Sequence, residues 1–230
     1  MVACHLSESP WPALPHKPLL LIPVGSTEQH GPHLPFNVDT MIAVAVASRV
    51  GDRLADVHGS KVVVAPAVEF GASGEHQDFP GTLSIGHEAL RVVLIELVRS
   101  ASSWAKEIVF VNGHGGNVST MTEVIITMRA EGHDVSWVPC ALETATDAHA
   151  GFDETSVALT LDPQLVRMSE ALPGNIQPLG EILPLLKKKG LRPVTESGVL
   201  GDPSLANSEV GERLLEELVT SVLHKVLYDH

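Results

Sequence analysis

The sequence predicts an α/β domain: a mostly parallel sheet flanked by helices on both faces. Three observations carry that expectation. Short, continuously apolar runs recur at 19–24, 61–65, 107–111 and 135–140, as strands buried on both faces require. Longer stretches between them carry apolar residues at helical spacing. Strands alternating with helices in this way build parallel strand–helix–strand units.

The elements follow in order. Residues 1–18 contain four prolines among polar residues and predict an irregular arm. Pro23 in the first strand predicts an edge position or a strand end, because proline has no N–H to give a ladder. A helix is predicted over 39–54, with Asp39-Thr40 resembling a cap, and the second strand stops at Pro66. Residues 71–83 form a loop punctuated by Gly and Pro. The helix at 88–104 repeats Leu90, Val93, Leu94, Leu97 and Val98 along one stripe. Further helices are predicted at 116–131 and at 207–228, the latter striped by Val210, Leu214, Leu215, Leu218, Val222 and Val226. Residues 172–206 hold five prolines and five glycines and read as an extended loop, functional, mobile or oligomer-forming. With no repeat, low-complexity tract or composition shift, residues 1–230 read as one domain.

Charge narrows the function. The chain carries 28 acidic against 15 basic residues, a net charge of −13, and its one basic run is Lys187-Lys188-Lys189, read as a solvated surface run in a loop. That balance argues against a nucleic-acid partner. Cys4 and Cys140 make no disulfide framework. The first residues lack a basic and apolar leader pattern, and no apolar run reaches membrane-spanning length. A cytoplasmic protein without a membrane partner is the expectation.

Ligand-type residues gather where strands end, which is where open α/β sheets place their sites. Gly25 to Pro35 follows the first strand and contains Glu28 and His30, two apart and so on one face of extended chain. Asp39 opens the next helix and can fold back over them. Carboxylate, imidazole and carboxylate suit a divalent ion such as Zn, Mn or Fe(II); loop residues making turn hydrogen bonds would look the same. The third strand is followed by Asn112-Gly113-His114-Gly115-Gly116-Asn117, where glycines leave room around His114, unless this is a plain turn capped by Asn117. The fourth is followed by His149 and Glu154. Three such clusters at strand ends favour a metal site over coincidence.

Four segments then resemble the creatininase family: Gly-Ser-Thr-Glu-Gln-His-Gly-Pro-His-Leu-Pro at 25–35, Glu-His-Gln-Asp-Phe-Pro-Gly-Thr-Leu-Ser at 75–84, Asn-Gly-His-Gly-Gly-Asn at 112–117 and His-Ala-Gly-Phe-Asp-Glu-Thr-Ser at 149–156. The resemblance implies a three-layer sandwich, an amide hydrolase with two divalent ions (Fe(II), Zn or Mn) per subunit, and a ring-like homo-oligomer, hexamer or octamer. Carried over by motif, Glu28 and His114 would bind one ion, His30 the other, with Asp39 bridging. Creatininase has a Tyr-Glu pair, its Glu a ligand, where this chain has Gly115-Gly116; Glu154 is therefore taken to complete the second ion's shell. The ions would activate a water for attack on the amide carbonyl. His149 is the candidate acid/base, against a supporting or surface role. Glu75, His76, Asn117 and Phe152 are candidate substrate-binding residues, with a packed surface loop the other reading of 75–80. Within the family the chain looks most like a peptidase that releases a modified C-terminal Val-Tyr-derived unit from a ribosomal precursor peptide. The alternative is hydrolysis of a small cyclic amide of the creatinine or formamidopyrimidine type. Creatininase closes on its substrate with tryptophans, and here only Trp137 falls in a comparable region.

Overall fold

The structure is a computed structural model that describes residues 3–57, 61–142, 145 and 147–228. Five strands pair in the order β1-β3-β2-β4-β5, and every pairing is parallel. They are β1 (Cys4–His5), β2 (Leu19–Val24), β3 (Val62–Val64), β4 (Glu107–Asn112) and β5 (Val135–Pro139). Helices α1 (Val38–Val57), α2 (Gly86–Ala101), α3 (Val118–Ala130), α4 (Phe152–Leu161), α5 (Leu179–Lys189) and α6 (Ser208–Tyr228) complete the fold.

Strand alternation splits the core into two layers. Leu21, Val109, Val111 and Val138 face α1, α4 and α6, whereas Leu20, Ile22, Ile108 and Phe110 face α2 and α3. The sheet is thus covered on both faces, as the apolar runs predict. Trp104 and Trp137 pack against the second layer.

The chain leaves β2 through α1 to reach β3, then returns through α2 to β4 on the other side of β2. This reversal makes the carboxyl ends of β2 and β4 the topological switch point. Register brings those ends together: Val24 pairs with Asn112, and Asn112 with Pro139. Loops far apart in sequence therefore emerge side by side.

Several expectations need correction. The arm is not wholly irregular, since Cys4–His5 adds an edge strand beside Val63 and Val64. Two residues are too few to show a pattern. Pro23 lies in a central strand and not at an edge, but it is the penultimate residue of β2, as the strand-end alternative expects. Its carbonyl accepts from Val68 N at 2.9 Å, so its nitrogen points to the β3 side just beyond the end of β3. Asp39 is no cap: α1 begins at Val38, and the Asp39 carboxylate turns into the site. The segment 172–206 contains α5, and Lys187-Lys188-Lys189 form its last turn, not a loop. Pro184 inside that helix hid it. Its Ile182 and Leu186 pack with Phe79, Leu191 and Leu200. α4, also unanticipated, packs its Val157 and Ala158 in the layer with α6.

Candidate metal centre

The site lies at the switch point. The loop after β2 closes on itself through Glu28 N to Phe36 O at 3.0 Å. The loop after β4 approaches α1 so closely that a Cβ at Gly113 would fall on the Asp39 carbonyl oxygen. Glycine there lets the first turn of α1 sit directly over both strand ends, and Asp39 comes between their histidines.

The polar contacts are dense and buried. Asp39 directs Oδ1 to His30 Nε2 at 3.2 Å and Oδ2 to His114 Nδ1 at 3.1 Å. Glu28 Oε2 is 3.2 Å from the same His114 nitrogen. The Ser26 hydroxyl is 2.7 Å from both Glu28 Oε2 and Asp39 Oδ2. Glu28 Oε1 is buried and accepts no hydrogen bond; His76 Nε2 lies 3.3 Å away and His149 Nδ1 3.9 Å.

Their electrostatics interlock. Burial and neighbouring Asp39 push the Glu28 carboxyl up, but His114 and His76 outweigh them and hold it at about 2. Burial opposes ionisation of Asp39 too, yet His30 and His114 keep it well below the usual carboxylate range. His30 is lowered by burial but carried up to about 9, chiefly by Asp39. His114 lies well above its usual value against the same burial cost, held by Glu28 and Asp39. His76, by contrast, is pushed down to about 3 by burial, and His149 is lowered for the same reason.

The donor set fits divalent cations. Glu28, Asp39 and His114 offer one ligand atom each, all within 4.8 Å of one another. His30, His149 and Glu154 make a second such group, and Glu28, His76 and His149 a third. Carboxylate oxygen with imidazole nitrogen is the ligand chemistry of Zn, Mn and Fe(II) sites. The orphaned Glu28 oxygen is a buried acceptor of the kind an ion satisfies.

Gln29 organises the histidines. Gly31 N–H donates to Gln29 Oε1 at 2.9 Å, which fixes the amide's orientation. Gln29 Nε2 then donates to Gly198 O at 3.1 Å and to His76 Nδ1 at 3.0 Å. His76 must carry its proton on Nε2, the atom that faces Glu28. His149 Nε2 lies 2.9 Å from the Gln29 carbonyl and donates to it, so the Nδ1 lone pair is left facing the site. Gly198, at φ 83°, is where a Cβ would collide with the Gln29 side chain. Leu200 pairs with His149 through Leu200 N to His149 O at 2.8 Å. The segment after α5 is thus fastened to the site.

The other expected residues take separate places. Glu154, half-buried in the first turn of α4, accepts from Ala150 N at 2.6 Å. Glu75 Oε1 lies 3.6 Å from His114 Nε2, the ring nitrogen turned away from Glu28 and Asp39. His33 stands behind, 2.8 Å from Thr155 Oγ1. Asn117 is fully buried, and its amide joins Gly25 O, Asn112 Oδ1 and Ala72 N at 3.0, 3.2 and 2.9 Å. It ties three loops together and does not line the cavity; nor does Phe152, half-buried at the start of α4. The cavity itself, about 170 Å³, has the carboxylates and imidazoles as its floor and Leu179, Leu183, Leu186, Leu191 and Leu200 as its wall. Sequence reasoning missed that wall, as it missed Ser26 and Gln29, although both polar residues stood within the first motif.

Fold and site together define an α/β domain with a buried carboxylate–imidazole centre suited to divalent cations, opening on a small apolar cavity. A family model described as creatininase, creatinine amidohydrolase, matches residues 8–226. The "Mycofactocin precursor peptide peptidase" of Mycolicibacterium smegmatis is 49% identical over 209 residues, 91% of this chain and 84% of that protein. The "Creatinine amidohydrolase" of Pseudomonas putida is 28% identical, covering 89% of this chain and 86% of that one. A solved tryptophan-to-phenylalanine variant of creatininase superposes with a TM-score of 0.78 at 26% identity, covering 99% and 98% of the two chains. The chain belongs to the creatininase family. Both named relatives are hydrolases of C–N bonds, the class of enzyme to which the chain belongs.

Proposed function

We propose that this chain is a metal-dependent peptidase that releases the modified C-terminal unit, derived from Val-Tyr, from the mycofactocin precursor peptide. The observation that carries the centre is the Asp39 carboxylate, which presents one oxygen to His30 and the other to His114. Glu28 and His114 would hold one divalent ion, His30 and Glu154 the second, and Asp39 would bridge. Bound there, the ions supply an activated water and polarise the amide carbonyl. The protein's own groups do the rest. Glu28 and Asp39, anionic in their buried setting, furnish the negative charge that cations require. His149 keeps an unprotonated Nδ1 toward the reacting centre and is placed to take a proton and return it to the leaving nitrogen. The leucine wall excludes water and receives an apolar unit.

Creatinine is disfavoured as substrate because no tryptophan lines the cavity. The deciding experiment is metal analysis of anaerobically purified protein, then turnover of the modified precursor peptide with Fe(II), Zn or Mn. Release of the C-terminal unit, with creatinine left intact, is the expected result. Creatinine turnover with the peptide untouched would transfer the assignment to the cyclic-amide reading.

Glu75 is proposed as a positioning residue, since its carboxylate backs the outer nitrogen of His114. Glu75→Gln should weaken metal affinity about tenfold by chelator competition, the usual cost of removing a ligand's supporting partner. Unchanged affinity would return Glu75 to a purely surface role.

The ring-like homo-oligomer, hexamer or octamer, is likewise proposed. Leu172, Ile176 and Leu205 stand exposed in the 172–206 segment. Light scattering should give a mass several times that of one chain, and Leu205→Glu should lower it. Among the described residues no helix is long and apolar enough to cross a membrane; a cytoplasmic location is our reading.

A further inference from the structure

We propose that the open groove beside the metal cavity holds the polypeptide that precedes the scissile bond, with Lys187 meeting a carboxylate of that segment; this rests on the peptidase reading. The groove, about 810 Å³, shares Glu75, Gly115, Gly116, Leu183 and Leu186 with the metal cavity. The two spaces therefore adjoin. Their sizes divide the substrate. The metal cavity, about 170 Å³ and walled by leucines, suits a terminal unit. A precursor chain has to leave by an open route, and the groove provides one.

The floor and rim suit a peptide. Gly115 has no heavy atom within 4 Å of where a Cβ would stand, so extended backbone has room to approach. Ser119, exposed on the first turn of α3, and His87 offer polar groups along the groove. Lys187 is the cation among the lining residues, and Glu75, its one carboxylate, is turned to His114. In a chain of net charge −13, an acidic peptide meets general repulsion. The basic last turn of α5 places positive charge at this rim, with Lys187 in the groove lining. Lys187 thereby acquires a role beyond that of a solvated surface charge.

The test uses metal-loaded protein and two fluorescently labelled peptides, the full-length precursor and a truncation keeping only its last residues. Anisotropy gives Kd for each, and product release gives kcat/KM. Lys187→Glu should weaken full-length binding about fivefold and flatten its salt dependence, as loss of a rim charge does. Ser119→Trp, a bulky residue on an exposed site, should also lower the preference for the longer peptide. If both variants keep that preference within about twofold, inside ordinary surface effects, or if unaltered protein shows no such preference, the groove assignment is overturned. If the peptides bind with Lys187 dependence but none is cleaved under any metal, the groove stands and the catalytic reading falls. Cleavage without Lys187 or Ser119 dependence does the reverse: the peptidase reading stands and the groove falls.

Discussion

Asp39→Asn is expected to abolish turnover and to strip metal from the protein. The substitution keeps shape and volume and removes one charge. That charge is the shared element of the centre, because Oδ1 and Oδ2 face different histidines, at 3.2 and 3.1 Å. An amide presents one oxygen and one NH2 group, a donor only, so it cannot offer an acceptor to both sides. Both proposed ions lose a ligand at once, and the anionic site loses half its carboxylate charge from Glu28 and Asp39. Each ion would contribute several kcal/mol of transition-state stabilisation, so kcat/KM should fall by about a thousandfold or more. Elemental analysis should show bound metal well below that of unaltered protein, with circular dichroism confirming a folded chain. Full metal content with normal turnover would sink the bridging role.

Why Asp39 was legible in the sequence, and other parts of the site were not, is a matter of range. Glu28 and His30 share one loop, and His114 follows a strand whose apolar character is plain; parallel strands bring such ends together by rule. The central strands and most helices were legible because burial imposes a period on them. β1 has two residues and no period to read, and α5 carries a proline where a helix should not. Gln29 is harder still. Its amide sits in the motif, but its role depends on Gly31 N–H fixing its orientation and on Gly198 and His76 accepting its hydrogens. None of that is encoded in local spacing. Asn117 misled because a polar side chain after the motif histidine looks like a substrate contact, whereas its hydrogen bonds are consumed by loops. The leucine wall of the cavity is assembled from α5, Leu191 and Leu200, in a segment whose composition reads as loop.

The proposed exchange of a carboxylate at position 116 for one at position 154 leads to the second large expectation. The resemblance to creatininase implies that a ligand glutamate of that family falls where Gly116 stands here. A missing side chain could have left a hole beside the second ion. The structure shows no hole: a Cβ on Gly116 would land on Ala72 O and His114 Nε2, and 2.8 Å from Glu75 Oε1. The room is taken by the group that backs His114. Meanwhile Glu154 stands with His30 and His149, ligand atoms within 4.8 Å, on the other side of the centre. Glu154→Gln should therefore lower bound metal from two ions toward one and reduce kcat/KM about a hundredfold or more, the second ion's share of the barrier. Gly116→Glu should be as damaging alone, because it drives His114 away from Glu28 and Asp39 and displaces Glu75. Combining the two should rescue nothing. Recovery of metal and turnover in the double variant would show that the glutamate at 116 can be accommodated, and that Glu154 is dispensable to the centre. Failure of all three, with fold retained, would mean that Glu154 is required and that Gly116→Glu cannot stand in for it.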